Sequence, residues 1–170
     1  VLALGVYAGN ASTLGLLQSA PAIGALVAFA ISGWITRVHR HGLAIVGAVA
    51  AYGLAVALGG AAAMGFPSVL LLCVVFLALS GAADMVSSAY RHTVLQSAAP
   101  DELRGRLQGV LTVVVAGGPR LGDFLAGAAA GLFGEAAAMM WRGVVCVLGV
   151  VIAAIAQRRF LTYDARSPTL

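Results

Sequence analysis

The chain has 170 residues, 61% of them hydrophobic and 9% charged, with a mean hydropathy of +1.00. A soluble domain carries about 25% charged residues, so this composition excludes a water-dissolved globule and points to an integral membrane protein. The net charge of +4 comes from arginine alone, scattered between apolar runs; that excludes a nucleic-acid patch and leaves the arginines as topology signals.

Val1 to Ala8 is apolar but too short to span, and reads as the end of a truncated transmembrane helix. This start inside an apolar run, without a starting Met, predicts a chain that is part of a longer protein. Gly9 to Ser12 reads as an uncharged turn. Leu14 to Ile35 is the first full span, close to the ~20 residues a bilayer core requires. It holds Gln18, Ser19 and Pro21; the proline predicts a kink that neighbouring helices compensate. Thr36 to His41 is a basic turn with Arg37 and Arg40. Gly42 to Met64 is the second span and Gly65 to Ser68 an uncharged turn.

Val69 to Tyr90 is the third span, interrupted by Asp84, with a helix that can run on to Gln96. The next turn holds the strongest local signal. Pro100 followed by Asp101 and Glu102 predicts a helix start, because proline suits the first helical position and acids suit the positive end of the helix dipole. Leu107 to Phe133 is the fourth span, carrying Gly117-Gly118-Pro119-Arg120 and then Asp123. A short turn with Glu135 leads to the fifth span, Met139 to Ala156, and residues 158–170 form a polar tail. The expected fold class is all-α: an antiparallel bundle of five full helices and a stub, with residues 9–157 as the transmembrane unit. The 22 glycines suit close helix packing.

The turns at 36–41 and 91–106 and the tail hold eight of the ten arginines, and they alternate with turns that hold none. The positive-inside rule makes those basic turns and the C-terminus cytoplasmic. Arg142 is the exception, expected near the outer interface, where it snorkels or pairs with Glu135.

Asp84, Arg120 and Asp123 fall inside spans, where ionisable groups are functional candidates by default. Asp84 lies 12 residues before Gln96, and Arg120 lies 13 residues after Leu107. Both are then roughly 18–20 Å from the cytoplasmic face, so adjacent antiparallel helices could pair them. Asp123, one turn from Arg120, is a second partner for it. Three interpretations stay open: an ion pair that fixes packing, a substrate or proton pathway made of Asp84, Arg120, Asp123 and Gln18, or helices that face differently so that the charged groups never meet. Gly117-Gly118-Pro119 favours the second, because broken helices line transporter cavities.

Other chemistry finds little support. Cys73 and Cys146 sit inside apolar runs and read as packing residues. His39, His41 and His92 lack the spacing of a metal site. No Ser-His-Asp arrangement, phosphate loop or cofactor motif is visible, so no enzyme activity, metal or cofactor is expected.

Gln96-x-x-x-Pro100-Asp101-Glu102-x-Arg104-Gly105-Arg106-x-x-Gly109 resembles the cytoplasmic turn between helices ten and eleven of major facilitator superfamily exporters, nearest the enterobactin-exporter and drug-efflux branch. Gly33 to Gly42 occupies the place of that family's motif A between helices eight and nine. Arg37 stands where the motif carries an acid and Val38 where it carries its first arginine, so only Gly33 and the basic Arg40 match. The resemblance covers nearly the whole chain and implies helices eight to twelve of a twelve-helix transporter whose first six helices form a separate half. It implies alternating access, and cytoplasmic gating by Gly33, Arg37, Arg40, Asp101, Glu102, Arg104 and Arg106. The implied function is secondary-active export of a small amphipathic molecule such as a siderophore or drug, by proton antiport across a bacterial inner membrane. The expected partners are that substrate, protons, the lipid bilayer and the missing half, without nucleic acid. A non-transporting membrane scaffold or an intramembrane enzyme is the alternative.

Overall fold

The computed structural model describes residues 11–33, 40–65, 70–98 and 101–157, and every long element among them is helical. Five α-helices follow one another: α1 (Ala11–Ala30), α2 (His41–Gly65), α3 (Leu70–Ala98), α4 (Asp101–Phe133) and α5 (Glu135–Ala156). The expected all-α bundle of apolar helices is therefore present. Four of the helices, α2 to α5, are long and apolar enough to cross a membrane, while the apolar part of α1 is the shorter stretch Gly15–Ala30. The stub at 1–8 and the tail at 158–170 lie outside the described residues.

Several boundaries moved, among them the start of the last helix, which is Glu135 rather than Met139. Ala11 and Ser12 are helical rather than part of a turn, and α1 stops at Ala30 rather than Ile35. The apolar span expected at Leu107–Phe133 lies within a longer helix, whose candidate span is Gly105–Phe133. α4 begins at Asp101, where the proline and two acids predicted a helix start, and runs 33 residues without a break. Gly117, Gly118 and Pro119 are all inside it: three residues of weak helix propensity are outweighed by the length of regular backbone on either side. At ~1.5 Å per residue α4 is about 50 Å long, well beyond a hydrocarbon core of ~30 Å.

α3 packs against both α1 and α2, and α2 packs against α5. Glycine makes these seams close. Gly24 lies against the Ala78 backbone and Gly81 against the Pro21 carbonyl, joining α1 to α3. Gly143 faces the backbone of Gly53 and Ala57, and Gly60 that of Ala136 and Met140, joining α2 to α5. Without a hydrophobic force between helices in lipid, such close contact supplies the dispersion energy that holds a bundle together. Leu17 and Cys73 form a buried cluster between α1 and α3, with Leu70, Val74 and Leu77 against it.

α4 is different. It packs chiefly on α5 and only lightly on α3, and none of its glycines meets another helix closely. Large apolar side chains stand exposed along it, including Val113, Phe124 and Leu132. Gly134 alone joins α4 to α5, at φ 84° and ψ 159°, a backbone region essentially reserved for glycine. Its N–H donates to the Ala130 carbonyl at 3.0 Å, and its own carbonyl accepts from the Ala138 N–H at 3.0 Å.

Candidate functional site

Because α4 leans on α5 rather than α3, a cavity of about 560 Å³ opens between them, and all five helices contribute to its wall. α1 gives Pro21; α2 gives Tyr52 and Val56; α3 gives Leu77, Ser80, Gly81 and Asp84. α4 gives Asp123 and the small residues Ala126, Gly127 and Ala130, while α5 gives Glu135, Ala138, Met139 and Arg142. The wall is mostly apolar, with a few polar groups, which is the make-up of a small-molecule pocket. The Ser80 hydroxyl is turned back to the Leu77 carbonyl at 2.7 Å, so it is already satisfied within its own helix.

Two of the three charged positions singled out from the sequence line this cavity, and the third does not. Asp84 and Asp123 are on opposite walls; Arg120 is exposed on α4 and outside the lining. The expected meeting of Asp84 with Arg120 does not occur. Equal depth brings the two groups together only if α3 and α4 are packed neighbours, and α4 packs only lightly on α3. The cavity lies where that contact was expected. Gln18 is exposed on α1 and likewise outside the lining.

Both acids have arginine partners nonetheless. Arg91 Nη2 lies 3.4 Å from Asp84 Oδ1, two turns further along the same helix. Arg142 Nη1 donates to Asp123 Oδ1 at 3.0 Å, tying α5 to α4. The second pair follows from the hairpin: Asp123 stands eleven residues before Gly134 and Arg142 eight after it, so the two reach similar heights. Arg142 was expected to snorkel or to pair with Glu135; its partner is Asp123. Sequence spacing alone does not reveal which face of α4 meets α5, so Asp123 was not among the partners expected for Arg142.

Glu135 is the lining acid that the sequence placed only in a connecting turn. Its Oε2 is buried and has no hydrogen-bond partner. A buried carboxylate oxygen without a partner carries the full cost of its lost hydration. Among the described residues, no group of three or more His, Cys, Asp or Glu side chains is placed to hold a metal ion.

The gating positions are only partly described. Arg37 lies outside the described residues, and so do the side chains of Asp101 and Arg104. Gly33 ends a 3-10 turn after α1. The Arg40 carbonyl accepts the Ala44 N–H at 3.1 Å and so opens α2. Glu102, Arg106 and Arg40 are exposed, and among the described residues they form no ion pair with one another.

The described helices form an apolar bundle around a cavity with paired charges at its wall. The chain is 34% identical over 118 residues to the enterobactin exporter EntS of Citrobacter koseri, covering 69% of this chain and 27% of that protein. It is 32% identical over the same length to the enterobactin exporters EntS of Shigella flexneri and Salmonella typhimurium. The chain is thus a homologue of the enterobactin-exporter branch of the major facilitator superfamily. It spans about a quarter of the length of these relatives. No family model matches it, and no solved structure does.

Proposed function

We propose that the chain is the C-terminal part of a secondary-active exporter that moves a small amphipathic molecule out of a bacterial cell by proton antiport. The observation that carries this is the cavity: it is walled by all five helices and holds Asp84 and Asp123 in a setting where unmatched charge is costly. Alternating access fits the uneven packing, since α4 is held mainly along α5. Proton entry at Asp84 or Asp123 would weaken its arginine pair and so couple protonation to helix position. The basic turns and the C-terminus lie on the cytoplasmic side of the inner membrane in this scheme, and Gly33, Arg37, Arg40, Asp101, Glu102, Arg104 and Arg106 act at that face.

The test is proton-driven efflux in inverted vesicles carrying the full-length protein. Asp84→Asn and Asp123→Asn are each made separately. Loss of coupled efflux in one of them is expected, with binding of substrate retained. Unchanged coupling in both would remove the acids from the proton path.

A further inference from the structure

The cavity has three carboxylates in its wall, Asp84, Asp123 and Glu135, and one arginine, Arg142. Two of the acids are already matched, by Arg91 and by Arg142. Glu135 has no such partner, and one of its oxygens is buried without a hydrogen bond. Once Arg91, outside the lining, and Arg142 are set against Asp84 and Asp123, one lining acid is left unmatched, and that acid is partly hidden from solvent.

We propose that this cavity recognises an amphipathic organic cation and that Glu135 is the carboxylate that pairs with it. The physical reason is complementarity. An anion entering the cavity would meet Glu135 and one lining arginine, Arg142, that is already occupied by Asp123; it must break that pair to gain a partner. A cation gains a partner and breaks nothing, and it relieves the unpaired oxygen at the same time. The remaining wall suits an apolar or aromatic body: Tyr52, Val56, Leu77 and Met139 line it, and methionine and tyrosine adapt well to flat cationic ligands. Small residues on α4, Ala126, Gly127 and Ala130, leave room on the opposite side.

This inference rests on the transporter reading, and it deepens that reading by giving the charge of the molecule carried. Ethidium, a flat aromatic cation, and 2,3-dihydroxybenzoate, a catechol anion, serve as probes of binding to the purified full-length protein in detergent. The parent protein is expected to bind ethidium more tightly than the anion. Glu135→Gln is expected to weaken ethidium about tenfold, the loss of one charge-assisted hydrogen bond. Glu135→Asp keeps the charge and is expected to stay within about threefold of the parent, whereas a purely structural role for Glu135 would not distinguish the two by charge. Preference for the anion, absence of ethidium binding in the parent, or equal ethidium affinity in Glu135→Gln overturns the inference. Vesicle transport separates it from the reading beneath it. Glu135-dependent ethidium binding with no flux of any probe overturns transport alone. Efflux of the anion with Glu135→Gln as active as the parent overturns the cation inference alone.

Discussion

Gly24→Ala is a sharp test of how this bundle is held. A methyl group in the middle of an exposed helix replaces glycine favourably, by up to ~1 kcal/mol. At Gly24 the same methyl would land on the Ala78 backbone carbonyl of α3. Backbone has no rotamer in which to retreat, so α1 and α3 must separate. Each heavy-atom pair across a seam is worth about 0.1–0.2 kcal/mol, and a gap of 0.5–1 Å forfeits a quarter to a half of it. Over the few tens of pairs along such a seam the loss is about 1–3 kcal/mol, within the usual range for overpacking. Set against the helix-propensity gain, the net effect is a destabilisation of up to about 2 kcal/mol. Gly149→Ala is the control, because a methyl there meets nothing within 4 Å; it should be neutral or stabilise by up to ~1 kcal/mol. Unfolding of the detergent-solubilised chain in rising dodecyl sulfate, followed by circular dichroism, compares the two with the parent. A Gly24→Ala protein at least as stable as the parent would refute the close α1–α3 seam.

Gly134→Ala places a side chain in a backbone region that only glycine adopts easily, and should cost about 1–3 kcal/mol in the same unfolding assay. The Asp123–Arg142 pair is partly exposed on both sides, so a double-mutant cycle with Asp123→Asn and Arg142→Gln should give a coupling of about 0.2–1 kcal/mol; zero coupling would mean that α4 is not tied to α5 there. Cys73 is fully buried and Cys146 only partly so, so a maleimide should label Cys146 several times faster in the folded protein, and equal rates would contradict the packing of α1 on α3.

The helices were legible because lipid leaves little choice: a long apolar run must be helical if its backbone groups are to be satisfied. Pro100, Asp101 and Glu102 also marked the start of α4 correctly. The charge partners were less legible. Residue counting fixes height along one helix but not the face it turns to its neighbours, and it treated α3 and α4 as adjacent because they are consecutive. Arg91 stands seven residues after Asp84, two helical turns on the same face, so that pair was available from spacing. It was overlooked because Arg91 had been counted as part of a turn. Gly117-Gly118-Pro119 read as a break, yet the helix absorbs it, since local propensity is a weak prior against long regular backbone.

The packing and the charges divide the molecule in the same way. Where helices meet through glycine, between α1 and α3 and between α2 and α5, the backbones touch and neither side can shift without a clash. Where α4 meets α5, the fixed points are one glycine turn and one ion pair. An ion pair and a turn are hinge-like: both hold position while allowing a change of angle, whereas a close backbone seam fixes position and angle together. Any movement that changes the cavity is therefore cheapest as a swing of α4 about Gly134. In such a swing Asp123 would move with α4, while Asp84, matched within its own helix, would stay with α3. The two acids would then have unequal roles: replacing Asp123 alters how α4 is held on α5, and replacing Asp84 frees Arg91 on the same helix and alters the charge that the cavity presents.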